Sequence, residues 1–185
     1  MMNKTMMKLV VGTEAMFFIC LILAFIYMAY NAGFEPHEVK ALDIKTTGIF
    51  TAILIASSFT FWIADKNYQK GKIKNLKIWL MVTILLGTIF LIGQGEEYWR
   101  LINDKITLSS SVFGTSFYAL TGFHGFHVFV GLIILSVILI LAFLGDFNNT
   151  SSNVISTAGI YWHFVDIVWI AVFTVVYVLP LFTKY

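Results

Sequence analysis

The chain has 185 residues, of which 59% are hydrophobic and only 12% carry a charge. Since a soluble domain has about twice that charged fraction, the composition excludes an ordinary water-soluble protein and indicates a polytopic membrane protein. The formal net charge of +2 is too small to favour nucleic acid as a partner. Cys20 is the single cysteine, which excludes an internal disulfide and argues against a thiolate metal site.

Five apolar segments are long enough to cross a bilayer as helices, since about 20 apolar residues span its hydrocarbon core. In chain order they cover about 10–30, 46–64, 76–98, 111–143 and 154–182. Short polar linkers join them, so we predict an all-α bundle of five transmembrane helices that forms a single membrane domain over residues 1–185. We expect the first segment to be a retained helix, because it contains Glu14 and is too long for the apolar region of a signal peptide.

The distribution of lysines predicts how the bundle is oriented. Lysines concentrate in the N-terminal tail and in the linker after the second segment: Lys4, Lys8, Lys66, Lys70, Lys72, Lys74 and Lys77. If these two regions lie on the same side of the membrane, that side has seven basic residues and the other side has five. Because cationic loops resist translocation, we predict a cytoplasmic N-terminus and a C-terminus on the outside.

Five acidic or histidine side chains fall inside the apolar segments and away from the outer end of the third, and such groups are costly in a membrane span and normally face a protein interior, a cavity or a partner. They are Glu14, His124, His127, His163 and Asp166. From their positions along the predicted helices, we expect all five to share one layer toward the cytoplasmic side. Glu96 and Glu97 fall instead at the outer end of the third helix, where we expect them to need no buried partner.

His124 and His127 are three residues apart and therefore lie on one helix face. Neutral imidazole is a common ligand, and His163 has a compatible depth for a haem held between two helices. The alternative is hydrogen bonding between helices. We favour this alternative because nothing at ligand spacing completes a metal site, and because Thr121 and Gly125 allow a neighbouring helix to approach closely.

His163 and Asp166 are also three residues apart. They could form a proton relay or a structural pair, and we favour the pair because an isolated buried charge is costly. Glu14 has no cation among its sequence neighbours, and apolar surroundings favour the neutral form of a carboxyl group. Proton handling, binding of a lipid headgroup and a protonated core residue remain open as roles of Glu14.

Several stretches occur in the same order as in subunit III of the haem–copper terminal oxidases. They are Glu14-Ala-Met-Phe-Phe, Gln94-Gly-Glu-Glu97-Tyr98, Phe113-Gly-Thr-Ser-Phe, Thr121-Gly-Phe-His124-Gly-Phe-His127-Val and Tyr161-Trp-His163-Phe-Val-Asp166-Ile-Val-Trp169. From Val11 onward the chain resembles this family. It is similar to the five-helix prokaryotic form, in cytochrome c and quinol oxidases, rather than to the seven-helix members.

The resemblance implies a bundle that packs beside the catalytic subunit I, within a complex that also holds subunit II and other subunits. It implies no haem or copper in this chain, with both in partner subunits, and it allows structural phospholipids. The implied role is to stabilise subunit I, hold lipids and support proton uptake in a proton-pumping oxygen reductase, with cytochrome c as the favoured donor. The implied location is the prokaryotic plasma membrane, as a multi-pass protein.

The resemblance also assigns individual residues. Glu14 corresponds to the carboxyl group that reacts with carbodiimides in family members. The other signature positions are His124, His127, His163 and Asp166, which with Glu14 we interpret as a buried polar network or as support for lipid binding and proton uptake. Gln94, Glu97 and Tyr98 form a family motif at the outer interface. No residue of this chain is expected to be catalytic or to bind a metal or a cofactor.

Other functions compete with this interpretation. Within related proteins, the chain could be subunit III of a quinol oxidase or the subunit-III-like protein of a nitric oxide reductase. In a different class, it could be an independent electron carrier with haem between His124 and His163. A small transporter or proton channel is less favoured, because the sequence has no inverted repeat and no pair of helices broken by glycine or proline.

Overall fold

The computed structural model describes residues 4–32, 36–147 and 153–182, which form helices joined by short turns. The helices are α1 (Lys4–Ala32), α2 (Pro36–Ala41), α3 (Ile44–Gln69), α4 (Ile73–Asn103), α5 (Val112–Leu144), α6 (Val154–Phe173) and α7 (Leu179–Phe182), with a π-helical segment (Thr174–Val178) between α6 and α7. Within these described ranges, five helical stretches are long and apolar enough to cross a membrane. The prediction of an all-helical chain with five such helices is confirmed.

The helices are longer than the apolar segments that predicted them. α1 begins at Lys4 rather than near residue 10, and α4 covers Ile73–Asn103 rather than 76–98. Backbone hydrogen bonding continues through the lysines, asparagines and arginine at the helix ends, which an apolar window leaves out. The six-residue helix α2 was not predicted, because it is too short to show a hydrophobic period.

Four of the long helices form a closed bundle. α3 packs on α4, α4 on α5, α5 on α6, and α6 packs back on α3. α1 lies outside this ring, against α5 and α6. As a result α6 is the most enclosed long helix, with 56% of its most apolar stretch buried, whereas α1 is the most open, with 11%.

Two tryptophans of α6 fill the centre of the four-helix bundle. Trp162 and Trp169 are seven residues apart, which is two turns, so they project from the same face. Both are fully buried, and each indole N–H donates a hydrogen bond to α3, at 3.2 Å to Ser57 and at 2.9 Å to Thr51. Because their N–H groups are paired, these large rings are packed without leaving a buried donor unsatisfied.

Capping residues fix where the helices begin and end. The Asp43 carboxylate accepts hydrogen bonds from the backbone N–H groups of Lys45 and Thr46 and so caps α3. The Ser111 hydroxyl caps α5 in the same way, through the N–H of Gly114 at 3.0 Å.

We call the end of the bundle that holds α2 and Asp43 the α2 end, and the end that holds the α3–α4 turn the lysine-rich end.

Candidate functional site

The Glu14 carboxyl group forms a hydrogen-bonded pair with His127. Glu14 is the eleventh residue of α1, and His127 is the sixteenth of the 33 residues of α5. The imidazole Nε2 lies 3.1 Å from Glu14 Oε2, and Nδ1 lies 2.7 Å from the backbone carbonyl oxygen of Phe123. The hydrogen-bond partner that the sequence neighbours of Glu14 do not supply therefore comes from another helix.

The geometry of this pair fixes how many protons it holds. A carbonyl oxygen only accepts hydrogen bonds, so Nδ1 of His127 must carry a proton toward Phe123. One further proton then lies between Nε2 and Glu14, either on the carboxyl group or on the imidazole. In both forms the pair has zero net charge, which lowers the free-energy cost of placing it within the membrane-spanning part of the bundle.

The pair lies at the outer surface of the bundle rather than in its centre. The exposed fraction of the side chain is 34% for Glu14 and 14% for His127. Aromatic rings surround it, since Phe18 packs edge-on against His127 with the ring centroids 4.9 Å apart. Glu14 is thus not a core residue, and its carboxyl group can be reached from outside this chain.

His124 has a different environment, although it is only one turn away. It is fully buried, and neither ring nitrogen has a hydrogen-bond partner among the described residues. Its ring lies 4.8 Å from that of Trp169, and it also packs against Phe18 and Phe90 with ring centroids 6.3 and 6.2 Å away. These aromatic rings occupy the space next to His124 where a porphyrin would have to lie.

His163 and Asp166 are joined through Ser58 of α3. The Ser58 hydroxyl oxygen lies 2.8 Å from His163 Nδ1 and forms a short hydrogen bond with Asp166 Oδ2. One hydroxyl proton cannot serve both neighbours, so when it goes to Asp166, the N–H of His163 must donate to Ser58. The second Asp166 oxygen has no partner among the described residues.

The five predicted polar residues therefore form two separate groups and one isolated ring. Glu14 pairs with His127, His163 shares Ser58 with Asp166, and His124 lies between aromatic rings. His127 lies near the middle of α5, with His124 one turn nearer the α2 end. The shared layer toward the cytoplasmic side stays a prediction. The sequence did not single out Ser58. A serine hydroxyl that can hydrogen-bond within its own helix adds little to the free-energy cost of a membrane span.

The expectation that Glu97 needs no buried partner is wrong. Glu97 is only 4% exposed, and its carboxylate is paired with Arg100 one turn along α4. Arg100 also donates to Asp43 at 3.0 Å, and Glu97 lies 3.4 Å from the Thr47 hydroxyl. Spacing along α4 places Glu97 near the end of that helix, but the side chain faces α3, which the sequence could not show. Glu96, by contrast, is exposed.

Asp43 is the ionisable member of this cluster that lies outside the spanning helices. Hydrogen bonds from the Thr46 hydroxyl and backbone N–H, together with the nearby Arg100 guanidinium, hold the pKa of the Asp43 carboxyl below its ordinary value of 3.8. Asp43 therefore stays ionised at neutral pH and ties the start of α3 to the end of α4.

Gln94 and Tyr98, which with Glu97 make up the family motif of α4, are four residues apart and lie on one side of that helix. The Tyr98 hydroxyl is 2.8 Å from Thr121 of α5, and Thr121 donates its own proton to the backbone of Phe117 at 2.7 Å. Tyr98 must then be the donor, and it links α4 to α5. Gln94 is 4% exposed, and neither atom of its amide group has a partner among the described residues.

No group of three or more histidine, cysteine, aspartate or glutamate side chains in the described part of the chain could hold a metal ion. The fold and its polar groups define a multi-pass helical membrane protein, with five spanning helices and with carboxyl and imidazole groups paired between helices.

Comparison with known sequences identifies the family. Residues 2–180 match the family of cytochrome c oxidase subunit III, and the chain belongs to that family. It is 39% identical to a probable cytochrome c oxidase subunit 3 of Nocardia farcinica over 167 residues, which are 90% of this chain and 82% of that protein. It is 39% identical to cytochrome c oxidase subunit 3 of Thermostichus vulcanus over 148 residues, covering 80% and 72% of the two chains. The resemblance stated from the sequence motifs is confirmed.

Proposed function

We propose that this chain is the non-catalytic subunit III of a proton-pumping haem–copper oxygen reductase. The observation that carries the proposal is the family match over nearly the whole chain. The relatives from Nocardia farcinica and Synechocystis are named as cytochrome c oxidase subunits, which favours cytochrome c rather than quinol as the electron donor and an oxidase rather than a nitric oxide reductase. The location that follows is the prokaryotic plasma membrane.

Stabilisation of subunit I is the first role that we assign. Apolar side chains cover the outside of the bundle, and α1 is mostly open on its outer side. His163, which is half-buried, presents a polar ring within the span of α6. Such a group is costly against lipid chains, which favours coverage by a helix of subunit I or of another subunit of the complex.

Haem and copper belong, in this proposal, to the partner subunits. The aromatic surroundings of His124 support this, because the ring has no open side among Phe18, Phe90 and Trp169. Nδ1 of His163 is already engaged with Ser58, so the two histidines do not present a matched pair of axial ligands. An independent haem-binding carrier is therefore disfavoured.

The Glu14–His127 pair is our candidate for supporting proton uptake and holding lipid. It carries one shared proton and is reachable from the outside of the bundle, as a group that exchanges protons must be. The aromatic residues around it, including Phe17 at 37% exposed and Phe123 at 48%, offer an apolar surface for lipid chains. Lipid is thus a proposed ligand of the α1–α5 surface.

Affinity purification from the native membrane tests the proposal. A tagged copy of this chain should retain a larger subunit that binds haem, and the purified complex should reduce oxygen with cytochrome c as donor. Recovery of the folded chain alone from membranes that contain an active oxidase would contradict the proposal. If the chain is recovered with a complex that accepts electrons only from quinol, the family assignment stands and the proposal of cytochrome c as electron donor is wrong.

A further inference from the structure

His163 presents a ring nitrogen at the outside of the bundle, in the middle of a membrane-spanning helix. It is the tenth residue of the 25-residue span Val154–Val178, and it is half-buried. Nδ1 lies 2.8 Å from the Ser58 hydroxyl oxygen, whereas Nε2 has no hydrogen-bond partner among the described residues. The fully enclosed atoms that lack a partner include both ring nitrogens of His124 but not Nε2 of His163, so Nε2 can be reached from outside this chain.

Contacts with α3 hold the ring of His163 in this position. Phe61 packs edge-on against it, with the ring centroids 5.8 Å apart and the ring planes at 86°. The Ser58 hydroxyl, which binds Nδ1, is itself hydrogen-bonded to the buried carboxyl group of Asp166. Turning Nδ1 away from Ser58 would break this chain of hydrogen bonds, so the ring keeps Nε2 at the outer surface.

The outer face of α4, which lies diagonally opposite α6 in the ring of four helices, has no comparable group in its described middle part. Thr88 is exposed there, but its hydroxyl group donates to the backbone carbonyl oxygen of Ile84 at 2.8 Å. The large side chains on either side, Leu85 and Ile92, are apolar and are 60% and 59% exposed. Lipid chains suit such a face, whereas against His163 they would leave Nε2 without a partner, which is costly in a membrane.

The hydrogen bonds behind Nε2 determine which group can bind it. If Ser58 donates its proton to Asp166, Nδ1 of His163 carries a proton and Nε2 accepts. If Asp166 is protonated and donates to Ser58, the order is reversed and Nε2 donates. A hydroxyl or carboxamide group fits both cases because it can donate and accept, whereas a charged group fits one case at most. Lipid headgroups lie outside the hydrocarbon core, so an uncharged polar side chain of another membrane helix is the group that fits.

The side chains around His163 are apolar and exposed on both helices. Ile167 lies one turn beyond His163 on α6 and is 66% exposed. On α3, Ile55 and Trp62 lie one turn before and one turn after Ser58, and they are 48% and 45% exposed. A helix that binds Nε2 therefore also covers apolar side chains of α3 and α6, which is the usual composition of a contact between membrane helices.

We propose that a membrane helix of subunit I packs on the surface of α3 and α6 around His163 and binds Nε2 through a hydroxyl or carboxamide side chain. This inference rests on the proposed function, which supplies subunit I as the neighbour of this chain. It adds the face of the bundle that subunit I covers and the chemistry of the contact. The outer face of α4 is then left to lipid.

Photocrosslinking in the native membrane tests which face subunit I covers. The photoreactive residue p-benzoylphenylalanine is placed either at Ile167 or at Leu85, the matched control on the outer face of α4. Both positions are well exposed, at 66% and 60%, so neither change disturbs the core of the bundle. Crosslinking to the haem-bearing subunit should be several-fold stronger from Ile167 than from Leu85. Loss of that subunit from the purified complex with the change at Ile167 alone would also support the inference, because a bulky group there would block the contact.

Two results of this experiment would overturn the inference. One is crosslinking to the haem-bearing subunit from Leu85 at an equal or higher yield. The other is that Ile167 crosslinks to lipid, to a second copy of this chain or to a different subunit instead. In both cases the haem-bearing subunit still co-purifies, so the proposed function stands. Absence of that subunit from every preparation would contradict the proposed function, and the inference with it.

The variants His163→Gln and His163→Leu test the hydrogen bond itself. Glutamine can donate and accept a hydrogen bond at this position, whereas leucine can do neither. The fraction of this chain that stays with the complex as the detergent concentration rises should therefore fall several-fold for His163→Leu and less for His163→Gln. Equal retention of the two variants would mean that no group of the partner binds Nε2. If neither variant assembles, crosslinking from Ile167 and Leu85, with His163 unchanged, still decides.

Discussion

A single shared proton allows a carboxyl group to lie within the span of this protein. Glu14 and His127 come from helices more than a hundred residues apart in sequence, and together they have no net charge. Phe123 fixes the tautomer of the imidazole, which leaves only Nε2 to face the carboxyl group. The pair is therefore satisfied within the chain and yet accessible at its outer surface.

The Glu14→Gln variant should assemble normally. The amide group of glutamine can donate to neutral His127 in place of the shared proton, so the contact between α1 and α5 is kept. Reaction with carbodiimide at this position should be lost, and proton uptake or lipid retention should change. Subunit composition, oxygen reduction and bound lipid can be measured in one preparation, with Glu96→Gln, at an exposed carboxyl group, as the control. Failure of Glu14→Gln to assemble would make Glu14 a structural anchor instead.

Asp43 should make stability depend on pH in a definite direction. Its pKa is lowered in the folded chain by Thr46 and Arg100, so the stabilisation is present above the ordinary pKa of 3.8 and is lost as pH falls through the lower folded value. Asp43→Asn keeps a capping residue but removes the charge. The melting temperature of the variant complex should lie below that of the unmodified complex at pH 6, and the difference should shrink below pH 4. A difference that does not vary with pH would contradict this account.

Contacts of single residues could be predicted from the sequence only within one helix. Three-residue spacing correctly put His163 near Asp166, because a helix fixes which of its own residues are neighbours. It could not show that Ser58 joins them or that Glu97 is buried, because both depend on which helix packs against that face. His124 and His127 illustrate the same limit, since residues one turn apart have an aromatic and a polar environment respectively.

Among the helices, two glycines of α4, Gly87 and Gly95, distinguish the effect of side-chain packing from that of helix propensity. A Cβ atom on Gly87 would lie 2.8 Å from the ring of Trp162, whereas one on Gly95 would have nothing within 4 Å. Because Trp162 is enclosed on all sides, it has no free space into which to move. The Trp162 ring thus fits beside α4 because residue 87 is a glycine, whereas Gly95 is not needed for packing.

Replacement of these two glycines by alanine should have opposite effects. Gly87→Ala should destabilise the bundle by about 1–3 kcal/mol through overpacking. Gly95→Ala should be neutral or slightly stabilising, because alanine favours the helix. The melting temperatures of the two variant complexes provide the comparison. Equal effects would show that the contact between Gly87 and Trp162 does not limit packing.

The existence and order of the long helices could be predicted from the sequence, but not their internal irregularities. Apolar length alone identified all five spans, since no other backbone arrangement satisfies its polar groups in lipid within a single segment. The π-helical segment has no comparable signature, because Thr174–Val178 is an ordinary apolar stretch that the surrounding contacts arrange. The same holds for α2, whose position follows from the residues on either side of it.

As a whole, the described part of the chain is a bundle of the long helices α3, α4, α5 and α6, with α1 on its surface. The enclosed helix α6 holds the bundle together, and the open helix α1 carries Glu14. This division agrees with a supporting subunit, whose internal contacts keep it folded while its outer surface faces lipid and partners.

The orientation of the bundle is a further prediction at this scale. The lysine-rich end should face the cytoplasm, because cationic turns resist translocation. With Cys20 replaced by alanine, single cysteines at Lys70 and Asp104 would mark opposite ends, since both positions are exposed. A membrane-impermeant maleimide should label Asp104→Cys in intact cells and Lys70→Cys only after the membrane is opened. The reverse pattern would invert the orientation.

In the function that we propose, this chain supports an oxidase without holding its redox centres. The most direct measurement is the haem spectrum of the purified complex before and after this chain is detached with detergent. We predict that the whole Soret absorption stays with the remaining subunits and that the detached chain shows none. A Soret band that accompanies this chain and disappears in His124→Leu or His163→Leu variants would contradict the account.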